Sequence, residues 1–313
     1  MTGVYRGQVI AAVVPAFREE AHIAEVITSM PDTVDIIVVV DDHSPDETFA
    51  RATETADPRL TVIRHEENQG VGGSILTAHT KAMALGADID VVFAGDGQMD
   101  PTYLPNLLDP IINDGYGFTK ANRFYSSKSF EGMPLYRVFG NVMLSFLNKL
   151  ASGYWNLFDP QNGYTATRRD VLQRLDFERI AKRYEFENDF LMHLNILNVR
   201  AKDVPIPAVY GDEVSTIKLR AVVPALVRLM TRGFLRRITL KCVIGTFSPI
   251  ALFLIAGSAL TLWSAVFGCW VLYQTIGPPV ASTGTVLLCV APGLMGFQLL
   301  LTGLQLDIAA TPD

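Results

Sequence analysis

Residues 9–20 read Val9-Ile10-Ala11-Ala12-Val13-Val14-Pro15-Ala16-Phe17-Arg18-Glu19-Glu20. The first six form an unbroken apolar run rich in β-branched residues, the pattern of a strand covered on both faces. Polar and acidic residues follow at once. The same design recurs three times. Ile36–Val40 leads into Asp41-Asp42-His43-Ser44-Pro45-Asp46, Leu60–Arg64 into Asn68-Gln69-Gly70-Val71-Gly72-Gly73, and Ile89–Ala94 into Gly95-Asp96-Gly97-Gln98-Met99-Asp100-Pro101. Helical patterns fill the intervals. Glu19–Met30 sets Ile23, Val26, Ile27 and Met30 on one stripe. Ser44 reads as the cap of a second helix, with Pro45 at its first position and Glu47 in its first turn. Gly72–Leu85 reads as a third. The alternation predicts an α/β fold with a mainly parallel, doubly wound sheet. In such sheets ligands bind beyond the carboxyl ends of the strands.

Beyond Pro101 the order loosens. A helix is expected over about 102–113 and a short strand near Phe118–Ala121. Ser126–Pro134 reads as a mobile loop, Val138–Leu150 as an amphipathic helix, Phe186–Asn198 as a helix and Ala201–Pro207 as a closing strand. From Leu219 to Lys241 apolar residues interleave with Arg220, Arg228, Arg232, Arg236 and Arg237, the pattern of a helix lying in a membrane interface. Between Lys241 and Asp307 the chain carries no charge. Two apolar stretches, Cys242–Ile276 and Thr283–Leu306, flank Gly277-Pro278-Pro279, and each exceeds the roughly 20 residues that cross a bilayer core. The expected organisation is a domain over 1–218, a juxtamembrane amphipathic segment over 219–241 and a membrane hairpin over 242–313. The arginine cluster predicts a cytoplasmic start and return of the hairpin. Residues 1–8 show no signal-peptide pattern, so the domain and both termini are expected on the cytoplasmic side.

Composition agrees. The 313 residues are 49% hydrophobic and mean hydropathy is +0.25, ordinary once part of the chain lies in lipid. A net charge of −6 argues against a nucleic-acid partner. The three cysteines, Cys242, Cys269 and Cys289, lie in the uncharged tail without metal-ligand spacing and read as small packing residues.

The chemistry sits at the strand ends. Acidic clusters follow the first, second and fourth strands, and carboxylates there can accept from base N–H and ribose hydroxyl groups. Asp96 and Gln98 offer hard oxygens suited to Mg2+ or Mn2+ bridging a diphosphate. For Asp46 a turn role is preferred. The Gly70–Gly73 turn lacks the Lys-Ser/Thr of a P-loop and follows the third strand, so it is no dinucleotide fingerprint. It reads as a close approach of backbone and ligand.

Six blocks in order resemble the family-2 glycosyltransferases of the GT-A fold, and among them the polyprenyl-phosphate (dolichol-phosphate) hexosyltransferases with two C-terminal transmembrane helices. They are Pro15 to Glu20, Asp41 to Thr48, Asn68 to Gly73, Asp96 to Pro101, Ala121-Asn122-Arg123-Phe124 and Asp159-Pro160-Gln161-Asn162-Gly163-Tyr164. The resemblance implies a GT-A (Rossmann-like) catalytic domain that transfers a hexose, with inversion, from a GDP- or UDP-linked sugar to a polyprenyl phosphate. By it, Pro15, Ala16, Glu19 and Asp42 hold base and ribose, and Asp96 and Gln98 hold Mg2+ or Mn2+. Arg123 and Arg137 meet phosphates, and Asp159 lies near the acceptor. Gly73, Ala94, Gly95, Gln161 and Lys218 join the substrate-binding set, and Asp100 joins Asp159 and Arg123 as a catalytic candidate. Glu187 falls in a helix that the family sets beneath the site. Ala94 stands where the family's Asp-X-Asp has its first Asp, and Arg18 where it has Asn. The late Arg-x-x-Gly-Glu-Ser-Lys segment is only partly kept, as Gly211 to Ser215 with Lys218, and the Gln-x-x-Arg-Trp signature of processive synthases is absent. The implied partners are a nucleotide sugar, a polyprenyl phosphate and the membrane, with a homo-oligomer left open. Two other readings stay open: transfer to another lipid acceptor, and a non-catalytic membrane partner that kept the fold.

Overall fold

The computed structural model describes residues 4–125, 135–207, 219–276 and 281–312, with the side chains of 135–137, 141 and 219–225 excepted. The Ser126–Pro134 loop and Lys218 therefore lie outside the described residues, as does the side chain of Arg137. The chain divides into two compact units, Met1–Phe234 with Pro312–Asp313, and Leu235–Thr311.

The first unit opens as the sequence implies. β1 (Ile10–Ala16), α1 (Ile23–Thr28), β2 (Ile36–Asp41), α2 (Thr48–Glu54), β3 (Leu60–Arg64), α3 (Val71–Ala84) and β4 (Ile89–Val92) alternate. β1 pairs parallel with β2 and β4, and β2 with β3. After a 3-10 turn at Pro101–Tyr103 come α4 (Leu104–Asp114), β5 (Phe118–Asn122), α5 (Leu135–Ser152), β6 (Thr165–Arg168), α6 (Arg169–Leu172), α7 (Phe186–Ile196), β7 (Ala201–Pro205) and α8 (Leu219–Arg237). The seven strands are ordered β3-β2-β1-β4-β6-β5-β7.

β6 is absent from the sequence reading. It is four residues, Thr-Ala-Thr-Arg, with no apolar run to betray it. It runs antiparallel between β4 and β5, so its N-terminal end meets their carboxyl ends. The preceding segment, Asp159–Tyr164, is thereby delivered to the edge where β4 and β5 release their polar residues.

Strand alternation sorts the apolar residues into two layers. Ile10, Ala12 and Val14 face Ile23, Ile27, Leu104 and Leu108. Ala11 and Val13 face Ile75, Leu76, Phe190 and Leu191. A third cluster packs Ala151 of α5, Met192 of α7 and Leu226 and Met230 of α8. The unit thus extends through Phe234, into the segment expected to be juxtamembrane.

In the second unit a π-helical stretch, Ile238–Gly245, precedes α9 (Pro249–Gln274), and α10 (Thr283–Ala309) follows. The expected span from Cys242 is shorter because Phe247 turns to φ +46 and Pro249 has no N–H with which to continue a helix. Ser248 Oγ instead caps a new helix at the Ile250 N–H (3.3 Å). α9 and α10 have 26 and 27 residues, about 40 Å at 1.5 Å per residue, and both are long and apolar enough to cross a membrane. They pack closely: a Cβ on Gly257 would sit 2.9 Å from the Gly296 carbonyl oxygen. Leu262, Leu272, Leu288 and Leu294 are exposed on their outer faces, which the core helix of a soluble domain would not tolerate.

Candidate active site

The turn after β1 is stitched to the loop after β2. Arg18, at φ +63, donates its N–H to Ser44 Oγ (3.1 Å), and Glu19 donates to Thr48 Oγ1 (2.8 Å). Ser44 is therefore no helix cap. α2 starts at Thr48, whose N–H and hydroxyl donate to Asp46 Oδ1 (3.2 and 2.6 Å), the turn role preferred for Asp46. A Cβ on Gly95 would meet the Pro15 carbonyl oxygen at 3.1 Å, Glu19 Cγ at 3.2 Å and Ala16 Cβ at 3.4 Å. Pro15, Ala16, Glu19 and Gly95 thus form one floor.

Asp42 is buried, and its carboxylate holds the glycine-rich turn. Oδ1 accepts from the Gln69 N–H (2.9 Å), Oδ2 accepts from the Gly70 N–H (2.7 Å), and His65 Nδ1 lies 2.7 Å from Oδ1. A ribose contact would use the lone pairs that these bonds leave. The glycines also have a packing reason. Gly70 is at φ +90, and a Cβ there would lie 2.7 Å from the Lys182 carbonyl oxygen. A Cβ on Gly72 would sit 2.6 Å from the Phe186 ring. At these two positions the backbone closely approaches Lys182 and Phe186, at the start of α7.

Beyond β4 and β5 lies a crevice of about 210 Å³, whose lining includes Ala94, Asp96, Gln98, Asp100, Arg123 and Gln161. The structure thus brings six of the candidates together, whereas Asp42 and Gly73 do not line this crevice. Asp96 Oδ1 accepts from the Gln98 N–H (2.9 Å), which folds the two side chains' stems into one tight turn. Asp100 Oδ1 accepts from the Thr102 N–H (2.8 Å) and caps the 3-10 turn. Gln161 Oε1 accepts from the Tyr184 hydroxyl (2.8 Å), a crevice partner the sequence reading missed.

Arg123 and Asp159 form the strongest pair of the site. Arg123 Nε and Nη2 donate to Asp159 Oδ2 and Oδ1 at 2.7 and 3.1 Å, a two-pronged geometry that fixes the guanidinium plane. Burial raises the Asp159 pKa, but the Arg123 hydrogen bonds and the charges of Lys120 and Arg123 outweigh it and hold the carboxyl below its ordinary value. Asp159 is therefore a carboxylate at neutral pH and a weak base. Glu187 behaves oppositely, with burial pushing it up to about 7.

A mostly parallel sheet with an antiparallel insertion, and a carboxylate- and arginine-lined crevice at its carboxyl edge, define a GT-A-type glycosyltransferase. The chain belongs to glycosyl transferase family 2, whose pattern matches residues 11–176. It is 34% identical over 220 residues to the UDP-N-acetylglucosamine–dolichyl-phosphate N-acetylglucosaminyltransferase of Methanococcus voltae, covering 66% of this chain and 87% of that one. It is 27% identical over 202 residues to the undecaprenyl-phosphate mannosyltransferase of Micrococcus luteus, covering 63% and 82%. Among solved structures, glucosyl-3-phosphoglycerate synthase from Mycobacterium tuberculosis with Mn2+, UDP-glucose and phosphoglyceric acid shares the fold. Its TM-score is 0.55 at 23% identity, covering 75% of this chain and 81% of that one.

Proposed function

We propose that this enzyme transfers a sugar, with inversion, from a nucleoside diphosphate donor to a polyprenyl phosphate at the cytoplasmic membrane face. The observation that carries the reading is that Asp96, Gln98 and Arg123 line one crevice at the carboxyl edge of the sheet. The relatives' printed activities supply the acceptor class. They differ in sugar, N-acetylglucosamine in one and mannose in another, so the donor is left to the assay.

Among the described residues no three His, Cys, Asp or Glu side chains gather into a metal cage. One carboxylate and one amide oxygen at an open crevice fit a cation that takes its other ligands from diphosphate and water, the habit of Mg2+. Such an ion would neutralise charge on the departing nucleoside diphosphate. Arg123, oriented by Asp159, sets a second positive charge on the crevice wall for the donor phosphates. The Pro15–Ala16–Glu19–Gly95 floor and Asp42 are assigned to base and ribose, and Gly73 to the turn behind them. Arg137 and Lys218 are assigned to phosphate contacts. The acceptor phosphate, with a second pKa of about 6, is already anionic near neutral pH. Asp159 therefore orients it, and no strong base is required.

The lipid substrate explains the hairpin. A domain over 1–218, a juxtamembrane segment over 219–241 and a hairpin over 242–313 keep the enzyme where a polyprenyl tail resides. On α5, Phe139, Val142, Met143 and Phe146 are exposed at helical spacing, an apolar stripe suited to lipid. Two spans with both termini cytoplasmic complete the proposed topology.

The test is incubation of membranes carrying the enzyme with polyprenyl phosphate and labelled GDP- and UDP-sugars, UDP-N-acetylglucosamine and GDP-mannose included. The expected product is a polyprenyl-phosphate sugar. Asp96→Ala should lower its formation at least about tenfold, from one lost charge-stabilising contact. Absence of transfer from every donor beside an active control would defeat the reading, and label in a glycerolipid would redirect it to another acceptor.

A further inference from the structure

Lys120 occupies the middle of β5, paired with Thr165 of β6 and with Asp203 of β7. It is 1% exposed, and among the described residues its Nζ has no hydrogen-bond partner. Lysine is almost never fully buried unless paired, so this ammonium needs a reason. Burial, with the charge of Arg123, lowers its pKa, and three carboxylates, Asp203, Asp159 and Glu187, oppose that and favour the ammonium. Asp203 Oδ1 likewise lacks a partner among the described residues, as do both side-chain polar atoms of the buried Asn188 on α7.

Beside Lys120 is a cavity of about 20 Å³ whose lining includes Glu187, His79, Thr165, Asn162 and Gly163, room for about one water. Asn162 and Gly163 also line the donor crevice. The cavity and the crevice therefore share a wall, and Lys120 is close enough to feel the charges of both Asp159 and Arg123.

We propose that Lys120, with a water in this cavity, is a positioning residue for sugar transfer: its buried ammonium neutralises the surrounding carboxylates and keeps Asp159 clasped to Arg123. The inference rests on the function proposed above. Its geometry is the buried cluster, and the charge balance agrees. Asp159 stays below its ordinary pKa despite burial, with Lys120 among the groups that hold it there. Glu187 is raised by burial while Lys120 pulls it down. Asp203 is raised by burial, with Lys120 again opposing. The other ionisable groups around the cluster are Arg123 after β5, Lys149 on α5, Tyr184 before α7, and the His79–Asp90 pair (2.8 Å) between α3 and β4.

The sign of the effect follows. With Lys120 replaced by methionine, the carboxylates bind protons more readily, so Asp159 releases Arg123 at a higher pH. The acid limb of kcat/KM for Lys120→Met should move up by about one pH unit, the size of a close charge's influence. The deficit should be about tenfold at the foot of that limb and small at pH 8.5. Lys120→Met/Glu187→Gln should leave the limb where Lys120→Met puts it, because Glu187 already holds its proton at that pH.

Melting temperature against pH supplies a readout that needs no turnover. Unfolded Glu187 ionises near its ordinary value, whereas native Glu187 holds its proton to about 7. Stability from this group is therefore present at acid pH and lost as pH rises across that interval. Lys120→Met should extend the loss above pH 7, and the double variant should remove it. If Lys120→Met does not accumulate, Glu187→Gln alone should flatten the wild-type slope. Superimposable wild-type and Lys120→Met pH profiles, a loss equal at every pH, or a slope untouched by Glu187→Gln would overturn the proposal. A wild-type enzyme that transfers no sugar would defeat the proposed function instead, and the melting curves would still decide the role of Lys120.

Discussion

At the scale of single residues, the buried Asp42 carboxylate holds the glycine-rich turn through the Gln69 and Gly70 N–H groups. Asp42 stands out in the sequence as an acid at a strand end, and a ligand contact is the natural inference. What the sequence withheld is that its oxygens meet Gln69, Gly70 and His65, which lie 23 to 28 positions away. Asp42→Ala would strand two backbone donors, at a cost of about 2–4 kcal/mol. It should lower the melting temperature and speed hydrogen exchange at the 68–73 turn; unchanged exchange there would mean the turn stands without it. Arg123 shows the converse. The phosphate role proposed for it comes from the family resemblance, while its fork onto Asp159 needed β6 to bring residue 159 near. Arg123→Lys keeps the charge but loses the planar two-pronged geometry. We expect kcat/KM for the donor to fall about a hundredfold, as when a preorganised donor is removed, with thermal stability changing little. Equal activity of the two proteins would reduce Arg123 to a simple point charge.

At the scale of elements, the central parallel strands were readable because burial on both faces leaves an uninterrupted β-branched run. β6 was not, since four residues with two threonines and an arginine carry no period. Its neighbours on both sides specify it, through pairing with β4 and β5. Helix boundaries moved where a turn residue found a distant partner, as Ser44 did with Arg18. The glycine-rich entrance to α3 shows that a motif's spacing is visible in sequence while the packing that requires it is not. Gly72 is required because the Phe186 ring would lie 2.6 Å from a Cβ. Gly72→Ala must push that ring, and α7 with it, away from α3. Overpacking of this kind costs about 1–3 kcal/mol. A matching fall in stability is expected in thermal unfolding, along with a perturbed Glu187, which is next in sequence to Phe186. A Gly72→Ala protein as stable as wild type would show that the α3–α7 contact is soft.

At the scale of the whole molecule, the long uncharged run announced a hairpin, and the acid at its far end is bonded to an arginine just before its start. Arg237 was read as one of several headgroup arginines and Asp307 as the start of a tail. Instead Arg237 Nη1 and Nη2 donate to Asp307 Oδ1 and Oδ2 at 2.6 and 3.0 Å, with the two residues 1% and 5% exposed. Seventy residues of separation hid the pair from any local pattern. The pair joins the end of α8 to the end of α10, at the base of the hairpin. A buried ion pair adds little net stability over apolar residues of the same shape, but removing one partner strands the other charge. Asp307→Asn should therefore destabilise by about 3–5 kcal/mol, seen as a lower melting temperature in detergent and less protein in the membrane. Arg237→Met/Asp307→Leu should recover most of that loss, because no charge is left unpaired. If the double variant is instead as unstable as the single one, the pair is indispensable as an ion pair. In that case the hairpin's closure depends on electrostatic attraction at its base and not only on the close packing of α9 against α10.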